Sequence, residues 1–228
     1  EVQDANYLAK IGVDWWKEDS CYSSGTNIEQ IEAYGKMRDA LNATGRHIWF
    51  ALCGWHTFYA LNPSGGQNIG NSWRLGPDTG TGWSAVMINA KAGLDVAASG
   101  IPGPSQSGGA WSDGSLLLNP GMGSGKDQID NTRCRTMFSL WCILGFNLLL
   151  TGNLSALDPF VLETWGNEDL IAVNQDAAGN QPLLIFSGSS TTVDSIMAEN
   201  DQYVQAHVEE CGGEPSAQLW EIGTVGDG

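Results

Sequence analysis

Apolar positions along the chain switch repeatedly between a helical period and short continuous runs. Residues 3–10 have helical spacing and lead into "GVDWWKED", which predicts a helix over 3–10 and a strand over 12–19. In "TNIEQIEAYGKMRDALNATG", Thr26 and Glu29 stand at capping-box spacing, and Ile28, Ile31, Met37 and Leu41 share one helical face. Gly45 falls where a C′ glycine would end that helix. "HIWFALC", residues 47–53, reads as a buried strand, followed by a Gly-rich loop over 54–70. "NSWRL" reads as a short strand, "WSAVMINAKAGLDVAA" as a helix and "GAWSDGSLLL" as irregular to extended. "KDQIDNTRCRTMFSLWCILG" predicts a helix, "FNLLLTGNL" a strand and "LETWGNEDLIAVNQD" a closing helix. Beyond about residue 178 the helical signal stops. "PLLIFSG", "TTVDSIMAE", "YVQAHVEE" and "AQLWEIG" are strand candidates between Gly, Ser and Asn turns. The pattern predicts an α/β unit over 1–178 with barrel-like β-α alternation, then an antiparallel β segment over 179–228.

That alternation gives meaning to the charges in "GVDWWKEDSCY". In a parallel barrel, functional side chains gather at the carboxyl ends of the strands. Residues of like parity face the same way, so Trp15, Lys17 and Asp19 share one side and Asp14, Trp16 and Glu18 the other. Lys17 and Asp19 can both face the barrel mouth, either as functional groups or as an ordinary ion pair ending a strand. Other strand ends supply Gly54, Trp55 and His56, then Arg74 and Asp78, then Asp113. Two carboxylates on different strands, with cations and tryptophans nearby, suggest glycoside hydrolysis, which retaining enzymes perform with a nucleophile and an acid/base.

Composition narrows the partners. Against 10 Lys+Arg stand 26 Asp+Glu, so a net charge of -16 repels nucleic acid and anionic membrane surfaces. The 10 tryptophans outnumber 5 Tyr and 6 Phe; beyond core packing, indole faces suit the C–H faces of sugars. The five cysteines, Cys21, Cys53, Cys134, Cys142 and Cys211, form no CxxC and no Cys/His cluster, so no zinc site is expected. No apolar run reaches 18 residues, so no transmembrane helix is expected. The first residues contain no starting Met and no basic-then-apolar signal pattern, so the chain is expected to begin mid-domain.

Several motifs in register resemble the α-galactosidase (melibiase) family of retaining glycosidases, over roughly residues 1–178. "GVDWWKEDSCY" is similar to that family's "GVDYLKYDNCY", "MRDALNATGRHIWFALCGW" to its stretch ending in Cys-Glu-Trp, and "NSWRLGPD" to its Asn-x-Trp-Arg-x-x-x-Asp. The resemblance implies a (β/α)8 TIM barrel, lacking its first three strands in this chain, that hydrolyses terminal α-D-galactosides by double displacement. It implies Asp19 as nucleophile and Asp78 as acid/base, with Lys17 and Arg74 as sugar contacts. Trp55, Cys21 and Asp113 are the further substrate-side candidates. No metal or cofactor is implied.

Departures bear on specificity. The family's Glu falls on Gly54, and its "WNDPDML" reads "WSDGSLL", keeping Asp113 but replacing the second Asp by Ser115 and the Met by Leu116. The family's "GND" reads Gly152-Asn153-Leu154. These changes leave open an altered glycan specificity, such as α-N-acetylgalactosaminide or β-L-arabinopyranoside. They also leave open a catalytically impaired structural or carbohydrate-binding subunit. The implied partner is the N-terminal barrel half, from the same precursor or a separate chain, since an open barrel leaves two sheet edges unpaired. Family members pair the cysteine at Cys21 with one upstream, and some pair the one at Cys53 with a residue that is Gly70 here. Two sequons, at Asn42 and Asn153, add to the family's habit in favouring an extracellular, lysosomal/vacuolar or lumenal location. Gln218-x-Trp220 matches one lectin-type repeat, but a plain β-strand is the favoured reading.

Overall fold

The computed structural model describes residues 1–20, 26–61, 65–99, 106–107, 109–180, 182–187 and 218–222. Helix α1 (Val2–Lys10) precedes β1 (Trp15–Asp19), and α2 (Asn27–Ala43) precedes β2 (Trp49–Cys53). A four-residue α3 (Phe58–Leu61) lies in the predicted loop before β3 (Ser72–Arg74). Then come α4 (Trp83–Ala98), the short β4 (Gln106–Ser107), β5 (Ala110–Asp113), α5 (Asn131–Ile143), α6 (Pro159–Trp165) and α7 (Glu168–Asn174). Strands β6 (Pro182–Ser187) and β7 (Gln218–Ile222) pair antiparallel, with Trp220 opposite Leu184.

The main sheet runs β1-β2-β3-β5-β4, parallel except for β4, which pairs antiparallel with β5. Its register decides what the strands present. Asp19 lies opposite Cys53, and Arg74 opposite Asp113, so the charged strand ends form one layer. A layer deeper, Lys17 is opposite Ala51, Ala51 opposite Ser72, and Ser72 opposite Trp111. The indole Nε1 of Trp49 donates to Ser72 Oγ at 3.1 Å, on the same side of the sheet. The alternate residues Phe50, Leu52 and Trp73 join Tyr34, Met37, Leu41, Val86 and Ala90 in the buried core.

Local chemistry sets the helix ends. Thr26 and Glu29 form the predicted capping box of α2, and Gly45 follows it at φ 74°, a left-handed position that suits glycine. The buried stripe of α2 differs from the prediction: Ile28 is 61% exposed, and burial starts at Tyr34. The Tyr34 ring meets Phe50 and Tyr59 edge-on and takes over that contact. The predicted closing helix breaks into α6 and α7, because Asn167 caps a new start by accepting from Leu170 N at 2.9 Å. The segment predicted as a strand, "FNLLLTGNL", forms no regular strand. Leu117 N donates to Leu149 O at 2.9 Å, but Ser115 at φ 78° interrupts the neighbouring extended run, and side-chain bonds from Thr151 and Asn119 replace a ladder. "TTVDSIMAE" and "YVQAHVEE" lie outside the described residues. Among the described residues no helix is long and apolar enough to cross a membrane.

Candidate active site

The site is built on the carboxyl ends of β1, β2, β3 and β5. Asp19 ends β1; its carboxylate accepts from Ser20 N at 2.7 Å and is otherwise exposed. Ser20 Oγ donates across to Cys53 O at 3.3 Å, linking the ends of β1 and β2. The Cys53 thiol is buried at 3% exposure, and burial pushes its pKa up, with Asp19 adding to the rise and the charges of Lys17 and Arg74 opposing it. Lys17, Asp19 and Arg74 therefore act on one thiol in the middle of the layer.

Arg74 is 1% exposed, which demands partners for its charge. Its Nη1 donates to Asp78 Oδ1 at 2.9 Å and its Nη2 to Gly76 O at 3.0 Å, while Nε has no hydrogen-bond partner. Asp78 remains largely exposed at the rim, with 63% of its side chain open to solvent. Asp113, opposite Arg74, is 2% exposed. Burial raises its pKa, opposed by the Arg74 charge, by the Ser115 amide donating at 2.7 Å and by Lys17. Asp113 is thus a buried carboxyl held by the Ser115 amide beside Arg74.

Among the described residues, the two non-glycine residues with left-handed backbones both lie beside this layer, Trp55 at φ 54° after β2 and Ser115 at φ 78° after β5. Such strain persists where surrounding structure over-determines it and clusters at functional sites. Trp55 is 49% exposed and Trp15 44%, whereas Trp73 and Trp141 are fully buried. The sugar-stacking candidate at the strand ends is therefore Trp55, whereas Trp15 lies at the opposite end of β1 from Asp19, and most of the other indoles serve the core.

The departures have structural partners that the sequence did not reveal. A Cβ on Gly54 would lie 1.9 Å from the ring of Tyr59, which fills the space a longer side chain would need. Tyr59 is 0% exposed, donates to Gln30 Oε1 at 2.7 Å, and burial pushes its pKa up to about 12. The hint was the aromatic "TFY" just after the glycine. Ser115 is 1% exposed, and its Oγ accepts from the amide and hydroxyl of Thr79, each at 3.3 Å. Neither Tyr59 nor Thr79 stood out in the sequence as a site residue. Gly114 packs against Phe146, where a Cβ would meet the ring at 2.1 Å.

Cys21 lies outside the described residues, so its predicted place at the site does too. Cys53, Cys134 and Cys142 are free and buried. Asn42, at the end of α2, and Asn153 are both exposed. A shallow cavity lined by Asn119, Asn131, Asn153 and Asp158 among others includes none of the predicted catalytic or sugar-binding residues. Among the described residues no group of three or more His, Cys, Asp or Glu side chains could hold a metal ion.

Comparison with known proteins accounts for the arrangement. The family model described as Alpha galactosidase A matches residues 2–176. Alpha-galactosidase 3 of Arabidopsis thaliana is 36% identical over 182 residues, covering 79% of this chain and 38% of the relative. The alpha-N-acetylgalactosaminidase of Rattus norvegicus is 34% identical over 194 residues, covering 82% of this chain and 44% of the relative. The crystal structure of alpha-galactosidase I from Mortierella vinacea superposes with a TM-score of 0.64 at 26% identity, covering 82% of this chain and 49% of that one. This chain therefore spans less than half the length of these relatives, and by the family match over most of its residues it belongs to the alpha galactosidase A family.

Proposed function

We propose that this chain carries the two reacting carboxyl groups of a retaining glycoside hydrolase that removes terminal α-D-galactosyl residues. The observation that carries the reading is the strand-end layer of the parallel sheet, in which Asp19 on β1 and Arg74 on β3 flank β2, with Lys17 one layer below Asp19 and Asp78 just beyond β3. In the first step an Asp19 oxygen attacks the anomeric carbon. The bond to the leaving oxygen breaks, its electron pair stays with that oxygen, and Asp78 supplies the proton. In the second step Asp78 takes a proton from water, the water oxygen attacks the same carbon, and the bond to Asp19 breaks. Lys17 and Arg74 bind sugar hydroxyls. Trp55 supplies a stacking face.

The other half of the barrel belongs to this proposal. Among the described residues, the edge of β1 away from β2 pairs with no strand. Val2 and Tyr7 on α1, Ile11 just after it and Trp15 on β1 are exposed at 68%, 61%, 55% and 44%. An N-terminal segment of the same precursor, or a separate chain, supplies the missing strands and covers this flank. The exposed sequons support a secretory-pathway location.

A second reading has one observation in its favour. Tyr59 fills the space beside Gly54, and Ser115 turns into the protein interior, so two polar groups that relatives use at the sugar are absent. A carbohydrate-binding subunit without turnover would show the same features. The test is an aryl α-galactoside assay on the full-length protein, with Asp19→Ala beside it and with an activated fluorogalactoside as trap. Turnover lost in Asp19→Ala, together with a glycosyl adduct on the Asp19 peptide, supports the enzyme. Sugar binding without turnover or adduct supports the binding subunit.

A further inference from the structure

We infer that Ser115 is a positioning residue for the acid/base carboxyl, acting through Thr79, an inference that rests on the assignment of Asp78 above. The groups involved close a ring. Arg74 Nη1 holds the Asp78 carboxylate at 2.9 Å. Thr79, the next residue, donates its amide to Ser115 Oγ at 3.3 Å, and its single hydroxyl proton is shared between Leu116 O at 2.7 Å, the closer acceptor, and Ser115 Oγ at 3.3 Å. Ser115 in turn donates its amide to Asp113 Oδ1 at 2.7 Å, and Asp113 pairs in register with Arg74.

Asp78 is thus held from both sides. Its carboxylate is tied to β3 through Arg74, and its backbone is tied to the loop after β5 through Thr79. The Ser115 end of the ring is 1% exposed and Thr79 0%, so water cannot replace these bonds. Ser115 stands at φ 78°, which points its amide at Asp113 while its Oγ meets Thr79. A serine at this place, rather than a longer acidic side chain, turns inward to anchor the acid/base loop.

The test uses the full-length protein and a series of aryl α-galactosides whose leaving groups range from dinitrophenol to phenol. An acidic leaving group departs without a proton, whereas phenol needs one. Ser115→Gly removes the hydroxyl but suits the left-handed backbone, so it should fold. A misplaced acid should lower kcat/KM on the phenyl substrate by roughly tenfold to a hundredfold, with the loss shrinking as the leaving group becomes more acidic. Ser115→Ala should give the same slope, because both variants lack the hydroxyl. Equal losses on all substrates, no loss at all, or a loss in Ser115→Ala that Ser115→Gly does not share would overturn the inference. Asp78→Asn run in parallel separates the two claims. A flat leaving-group series for Asp78→Asn, or no turnover in the unmodified protein, refutes the acid/base assignment itself and this inference with it. A steep Asp78→Asn series with a flat Ser115→Gly series refutes only the role of Ser115.

Discussion

The contact between Gly54 and Tyr59 offers a direct test of why this site departs from its relatives. A Cβ at position 54 would lie 1.9, 2.2 and 2.5 Å from three ring carbons of Tyr59. Gly54 is not in the left-handed region, so backbone conformation adds nothing and the clash acts alone. To bring the nearest carbon from 1.9 Å out to ordinary contact at 3.4 Å the ring must retreat by about 1.5 Å. It has little room to do so. It is 0% exposed, meets Tyr34 and Phe58 edge-on at 6.2 and 5.7 Å, and is tied to Gln30 at 2.7 Å. Overpacking of this kind costs about 1–3 kcal/mol, and losing the Gln30 bond adds about 1 kcal/mol. Gly54→Ala should therefore destabilise by about 2–4 kcal/mol, read as a lower urea midpoint by tryptophan fluorescence at unchanged slope. The double mutant with Tyr59→Ala decides the cause. If the ring is the obstacle, the pair should be less destabilised than the sum of the single mutants by about 2 kcal/mol. Additivity within about 0.5 kcal/mol would refute the argument that Tyr59 occupies the place of a side chain at 54.

Asp113→Ala should cost about 1–3 kcal/mol in urea unfolding, because it leaves the buried Ser115 amide without its acceptor. Asp113→Asn, which keeps an acceptor, should cost less. Burial first, and then the Glu1 charge, pushes the Glu18 carboxyl up to about 7. Between about pH 4.5 and 7 the folded protein holds a proton that the unfolded chain has released, so stability should fall as pH rises through that window and level off above it. Glu18 is half-exposed, and solvent screening brings the effect to about 1–2 kcal/mol; Glu18→Gln should abolish it and be the more stable form at pH 8. Burial pushes the thiols of Cys134 and Cys142 up to about 11 and about 12. Peptide mapping after thiol labelling at pH 8 should find both, and Cys53, protected in the native protein and labelled after denaturation.

The order of elements was legible in the sequence because each signal for it is local. Thr26 and Glu29 stand three residues apart and cap a helix wherever the chain goes, and apolar runs such as 49–53 form strands between such helices. The likeness of "GVDWWKEDSCY" and "NSWRLGPD" to one family was likewise a property of contiguous residues, and it named Asp19, Lys17, Arg74 and Asp78. What failed were inferences that needed a neighbour distant in sequence. "FNLLLTGNL" is apolar enough for a strand, yet the interruption at Ser115 on the adjoining segment denies it a ladder. Ile28 fits the helical face of α2, yet the sheet presents its contact nearly two turns later, at Tyr34. Gly54 and Ser115 looked like groups lost from a sugar site. The fold turns the nearby Tyr59 back against the one, and only the folded chain brings Thr79 against the other, 36 residues away in sequence. Local signals determined the order of elements and the candidate site residues, because caps, periods and motifs are short-range. The tertiary structure decided how those residues are held, because burial and hydrogen-bond partnership are set by whichever distant side chain arrives at the same place.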